Sequence, residues 1–204
     1  ITTLLSVQPI GTSDIILDIS VVGRKSYKAE DIRTHIQRAL MDTYNASASE
    51  IGGSVRISDL YSLIDNLASV DYLKINKFYI IPYFHPMNGG YGFSPSNYEL
   101  IKADKSVNYY VTVGSNSRAT IQSEDGVYTK AISDVISEVV IDDTYHSTNF
   151  NLKLFGSIED PSCVVGKVYK FTVCKINDDF VDTGFSLPIF SNVNNLKADI
   201  TESV

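Results

Sequence analysis

The side chains best suited to chemistry in this chain are three histidines, two cysteines and adjacent acidic residues such as Asp142-Asp143, Glu159-Asp160 and Asp178-Asp179. His35, His85 and His146 are scattered, and none has a second His or a Cys at a metal-ligand offset such as HxxxH, so zinc held by sequence-local ligands has no support. Each histidine reads as solvated or hydrogen-bonded. A triad assembled across the fold stays open, because triads are defined by geometry and not by spacing, although no GxSxG is present. Asp142-Asp143, Glu159-Asp160 and Asp178-Asp179 are neighbours in sequence. Carboxylates that hydrolyse a glycoside must face each other across a bond, about 5 to 10 Å apart, whereas adjacent strand residues point to opposite faces. The pairs therefore read as solvated turns. Calcium-loop spacing of the DxDxDG kind does not occur. Gly89-Gly90-Tyr91-Gly92 lacks the Lys-Ser or Lys-Thr of a phosphate loop, and Phe93-Ser94-Pro95 does not open a helix after it. Cys163 and Cys174 form neither a CxxC pair nor a disulfide framework and read as free thiols in a reducing compartment. The sequence thus nominates no catalytic, cofactor-binding or metal-ligating residue and implies no cofactor.

Composition narrows the partners. The 24 acidic residues against 17 Lys and Arg give a net charge of -7, and no basic cluster offers a face to a phosphate backbone, which argues against nucleic acid. No apolar run approaches the roughly 20 residues that cross a bilayer, and no signal core opens the chain, so it reads as soluble without membrane insertion. It begins at Ile1 and not Met, as a fragment or processed product would. Thirteen tyrosines and no tryptophan suit a strand-rich protein with interfaces.

The elements that must position these residues start with a strand over Asp14 to Val22, where Ile15, Leu17, Ile19 and Val21 make one wholly apolar face. A helix follows from Lys28 to Tyr44. Ile32, Ile36, Ala39, Leu40 and Tyr44 recur at helical spacing, with Glu30 and Asp31 in the first turn where the dipole favours them. After an extended Ser54–Ile57, Ser58 reads as the N-cap of a second helix with Leu60, Leu63, Ile64 and Leu67 on one stripe. That helix is too short to stand alone and must lie on neighbouring strands. A long strand begins near Asp71. From Phe84 to Ser96 two prolines and three glycines stand among aromatics, marking a connector.

Beyond it the sequence predicts short strands: Val107 to Val113, Arg118 to Gln122, an Asp125-Gly126 hairpin, Thr148 to Leu154, Tyr169 to Val173, Phe185 to Phe190 and Leu196 to Ile200. Asn177-Asp178-Asp179 reads as a turn. Residues 131–140 fit a helix by the spacing of Ala131, Ile132, Val135, Ile136, Val139 and Val140, and a strand by their β-branching.

The expected fold is α+β: a small sheet with two helices on one face over residues 1–83, a connector at 84–96, and a mostly antiparallel β-rich domain over 97–204.

Three motifs in the first part, AEDIRTHIQRALMDTY, IGGSVRISDLYSLIDNL and VDYLKI, follow the strand IILDISVVG. In this order and spacing they resemble the baseplate J-like family, wedge-ring proteins of contractile phage tails and related injection machines. The matching positions are Ile32, Arg33, Ile36, Ala39, Leu40, Tyr44, Gly52, Val55, Ser58, Leu60, Tyr61 and Ile64, within residues 14–82. The resemblance implies a non-enzymatic structural subunit of the virion tail baseplate, assembled in the host cytoplasm, that packs with copies of itself and with other wedge proteins. Two rivals remain. A carbohydrate- or receptor-binding module would suit a β-rich domain with tyrosines on its loops. A hydrolase with a site built from distant residues requires a deep pocket holding His85 or His146 beside a carboxylate.

Overall fold

The computed structural model describes residues 10–83, 85–86, 94–115, 118–132, 138–155, 165–181 and 186–203. In chain order the elements are β1 (Gly11–Gly23), α1 (Ala29–Thr43), β2 (Ser54–Val55), α2 (Ile57–Asp65), β3 (Val70–Ile81), β4 (His85–Pro86), β5 (Ser94–Ala103), β6 (Val107–Val113) and β7 (Ala119–Ser123). Then come β8 (Thr129–Ile132), β9 (Glu138–Asp143), β10 (Thr148–Phe155), β11 (Val168–Val173), β12 (Phe180–Val181), β13 (Ser186–Ile189), a 3-10 turn at Val193–Asn195 and β14 (Leu196–Glu202).

In the first sheet β1 is the central strand. Its even spacing of apolar residues puts Ile15, Leu17, Ile19 and Val21 on one face, each at most 2% exposed. β3 pairs antiparallel on one side, opposing Leu17 with Phe78 and Val21 with Leu73. α1 and α2 lie over this face and lay Ile32, Ile36, Leu40, Leu60 and Ile64 against it, all at 0% exposure. Burial of such a side chain is worth about 1.5 to 3 kcal/mol, which is what holds a nine-residue helix that would be marginal in water. Gly23 ends β1 beneath α1, where an added Cβ would overlap Cδ1 of the buried Ile32.

The other side of β1 takes two parallel partners in succession. Gly11–Asp14 run beside β13, and Leu17–Gly23 beside β14. Sheet membership therefore does not follow the expected division at 84–96, since residues 186–202 complete the sheet of the N-terminal segment.

The remaining long strands form two antiparallel sheets, one ordered β5-β10-β9 and the other β4-β11-β6-β7-β8. Their inner faces share one core. Tyr98, Leu100, Ile141, Phe150 and Leu152 of the first meet Tyr109, Val111, Ile121, Tyr169 and Phe171 of the second. Phe150 is its centre, with ring contacts to Tyr98, Tyr109 and Phe171 at 5.5, 5.5 and 5.9 Å. Ile16, Tyr79 and Ile81, on the β1–β3 face away from the helices, also pack on this core.

The expected α+β class is corrected by these elements: the chain is mostly β, 51% strand and 17% helix, with the helices confined to one face of one of several sheets. β5 opens inside the Pro/Gly-rich stretch read as a connector, and the segment 131–140, left open between helix and strand, overlaps β8 and β9. β8 and β9 are strands at the two ends of 131–140, and 133–137 lie outside the described residues. Also outside are Phe84, Gly89 to Phe93, Glu159-Asp160, Cys163 and Phe185.

The start of α2 differs from expectation as well. α2 begins at Ile57 and not after a Ser58 cap; its first N–H is taken by Asp179 Oδ1 at 2.9 Å, and Ser58 Oγ donates to Asp59 instead. At α1 the N–H of Ala29 is taken by Glu202 Oε1 at 2.8 Å. Both helices are capped from far along the chain.

Candidate functional site

The β7–β8 and β9–β10 connections bring one histidine between two carboxylates. Ser123 ends β7, and Gly126, at φ 74°, turns the chain as the Asp125-Gly126 pattern predicts. Asp125 Oδ1 accepts the Ser123 hydroxyl at 2.6 Å and the Val127 N–H at 3.1 Å, which fixes the carboxylate and leaves Oδ2 facing the neighbouring turn. There stands His146, with Nε2 2.9 Å from Asp125 Oδ2 and Nδ1 2.6 Å from Asp143 Oδ2. The side chain is 12% exposed.

Asp143 was expected to be a solvated turn residue. It is fully buried, because it ends β9 on the same inward face as Ile141 while Asp142 points out. An unpaired carboxylate in such a position would be very costly. Three donors satisfy it: the Tyr109 hydroxyl at 2.8 Å, the His146 ring, and the His146 backbone N–H at 3.2 Å on Oδ1.

The electrostatics follow from these contacts. The Ser123 hydroxyl first, then the Val127 amide and His146, hold the Asp125 carboxyl down at about 2. The Asp125 hydrogen bond, aided by Asp143 and opposed by desolvation, raises the His146 imidazolium above the ordinary histidine value. Burial, then the Asp143 carboxylate, pushes the Tyr109 hydroxyl far up, so it stays a donor. Next to the cluster Asn108 Nδ2 donates to Glu124 Oε2 at 2.7 Å and lowers that carboxyl, while Thr172 donates to Asn108 Oδ1 at 2.6 Å.

These groups border an open concavity of about 430 Å³ lined by Lys105, Asn108, Glu124, Asp125, His146 and Thr172, among others. His146 does stand beside carboxylates, as the hydrolytic alternative requires. Both ring nitrogens are nevertheless engaged by carboxylate oxygens, and among the described residues no hydroxyl or thiol bonds to the ring. An imidazole so placed can store a proton and cross-link two turns; it has no free nitrogen to take a proton from a nucleophile. Among the described residues no group of three His, Cys, Asp or Glu is placed to hold a metal ion.

The other singled-out residues are dispersed. His35 Nδ1 is 3.1 Å from Ser69 Oγ, with the Tyr27 ring edge-on. His85 lies on β4, whose backbone pairs with Lys170. Asp179 caps α2, and Cys174 packs half-buried against the helix-side core. The positions that carry the baseplate resemblance are local: Ile32, Ile36, Leu40, Val55, Leu60 and Ile64 are the fully buried ones, Gly52 turns at φ 74°, and the Tyr61 hydroxyl accepts the Ile75 N–H at 3.0 Å. Arg33 donates to the Ala198 carbonyl at 3.1 Å and so ties α1 to β14. Sequence reasoning missed the His146 cluster, although the alternation Ile141, Asp142, Asp143 placed one carboxylate inward. Neither a family model nor a curated protein matches the chain.

Proposed function

We propose that this chain is a structural, non-catalytic component of a contractile-tail baseplate, or of a related injection machine, where it holds neighbouring subunits in the wedge ring. One observation carries the reading. Residues 14–81 form a unit of strand, helix, short strand, helix and strand with both helices on one face, and six of the positions shared with the baseplate J-like pattern, Ile32, Ile36, Leu40, Val55, Leu60 and Ile64, are fully buried in it. The His146 cluster is in keeping with it, since its polar groups are spent on each other and on joining two sheets. In such an assembly the partners are further copies of the chain and other wedge proteins, and its location is the virion tail. No described helix is long and apolar enough to cross a membrane.

Cross-linking mass spectrometry on purified tail particles tests the proposal. Cross-links from this chain to a second copy or to other ring proteins are expected, whereas particles that assemble and inject without the chain overturn it. The open concavity, lined by Asn108, Glu124, Asp125 and Thr172, favours a second reading as a carbohydrate- or receptor-binding module. A glycan array separates the two, because specific binding that is lost in Asn108→Ala supports the second.

A further inference from the structure

His146 is a side-chain link between the ends of two facing sheets. The ring sits on the β9–β10 connection and reaches Asp125 on the β7–β8 connection, 21 positions away. Its two nitrogens face one oxygen of each carboxylate at 2.6 and 2.9 Å. Only the imidazolium has two N–H groups to donate, so only the protonated ring satisfies both contacts. The neutral ring keeps one N–H and turns a lone pair on the other carboxylate.

Burial decides which contact fails. Asp143 is fully buried and already ordered by the Tyr109 hydroxyl and the His146 backbone N–H, so losing a donor there leaves a buried charge underpaired. Asp125 is 51% exposed and can exchange the ring for water. The proton therefore stays on Nδ1, and the Nε2 contact to Asp125 breaks.

We propose that His146 is a proton-operated latch, closed between the β7–β8 and β9–β10 turns when the ring is charged and released from Asp125 when it is neutral. Release frees one wall of the concavity, because Glu124 and Asp125 of the β7–β8 turn line it together with His146. This goes beyond the structural reading above and does not rest on it.

The charged and titratable groups around the ring favour the closed form. Asp125 of the β7–β8 turn and Asp143 of β9 face the ring, Glu124 beside Asp125 lines the same concavity, Asp142 points outward from β9, and the Tyr109 hydroxyl of β6 and Tyr128, just before β8, lie by Asp143. The cations are Lys105, which lines the concavity, and Lys170 on β11, which is 3.9 Å from Glu124 and thus partly spent on it. The raised His146 value agrees in sign. A group whose folded value lies above the unfolded one contributes fully below the ordinary 6.5 and loses that contribution as pH rises through the folded value. The latch is therefore shut in mildly acidic solution and open in alkaline solution.

The test pairs an NMR titration of the His146 ring with amide hydrogen exchange of residues 124–128, corrected for intrinsic rates, from about pH 5 to about pH 9. A ring midpoint above 6.5 is expected, with protection of the β7–β8 turn lost around the same midpoint. His146→Gln, which bonds without titrating, should remove the step. Should that variant fail to fold, Asp125→Asn leaves Asp143 untouched and should lower the ring midpoint and abolish the step. A midpoint at or below 6.5, turn protection constant across the titration, or a step that persists in either variant overturns the latch.

Discussion

The Glu202 carboxylate accepts the Ala29 N–H at 2.8 Å, so the last residue of β14 caps the first turn of α1 across 173 positions. α1 has no side-chain cap of its own, since Lys28 occupies the cap position and offers no acceptor. Replacing a capping acceptor costs about 0.5 to 2 kcal/mol. Glu202→Ala should lower stability by about 1 kcal/mol, and Glu202→Gln, which keeps an acceptor, by less. Urea denaturation reads both. Equal loss in the two variants would mean that charge, and not the hydrogen bond, carries the effect.

A second prediction concerns Asn177, which sits at φ 58° against the irregular stretch of β3. There Asn76 is the extra residue between the pairs Asp18 with Lys77 and Ile19 with Ile75. Asn177 Oδ1 accepts the Phe78 N–H at 2.7 Å, its backbone N–H donates to the Phe78 carbonyl at 3.0 Å, and Nδ2 donates to the Asn76 carbonyl at 3.2 Å. Asn177→Gly tolerates the left-handed backbone but loses both side-chain bonds, at about 1 to 2 kcal/mol. Asn177→Ala adds the left-handed penalty and should cost about 1 kcal/mol more. Thermal unfolding of the two variants measures the order, and Ala at or above Gly would show that the turn relaxes.

What the sequence made legible in these contacts was their local half. The alternation of Ile15, Leu17, Ile19 and Val21 and the four-residue steps of Ile32, Ile36 and Leu40 report a strand and a helix because each pattern repeats within one element. Nothing within reach of Leu17 reports that its parallel neighbour is Leu196. The caps by Glu202 and Asp179 and the cross-sheet pair of Tyr109 and Asp143 are hidden for the same reason: each joins residues whose own neighbourhoods read as ordinary strand ends or turns. Asp143 had one local sign, its place two residues after the buried Ile141, and the adjacent Asp142 masked it.

Tyr109→Phe gives a third prediction. It keeps the ring stacked on Phe171 at 5.6 Å but removes a donor from the buried Asp143. Hydrogen bonds to charged groups contribute about 1.5 to 3 kcal/mol, and a carboxylate left short of donors adds desolvation cost. The loss should fall near the lower end, because His146 still donates twice to Asp143. Combining Tyr109→Phe with His146→Ala should cost more than the sum of the two, since the pair removes two of the three donors at once. Additive losses in the double-mutant cycle would show that the two donors act independently.

The acid limb of stability offers the last test, and its sign comes from Asp125. Its folded value is depressed from 3.8 to about 2, first by the Ser123 hydroxyl and then by Val127 and His146. Its contribution is therefore complete above 3.8 and is lost as pH falls through about 2. His146 remains charged throughout that range and adds no slope there. Asp125→Asn should flatten the melting temperature between about pH 4 and about pH 2 relative to the parent chain. Ser123→Ala should flatten it in part, because it removes the largest cause and leaves the other two. An unchanged acid limb in Asp125→Asn would assign it to other depressed carboxyls, among them Asp18, where desolvation raises the carboxyl but the hydrogen bonds of Lys197 and Asn76 bring it down on balance, and Glu124.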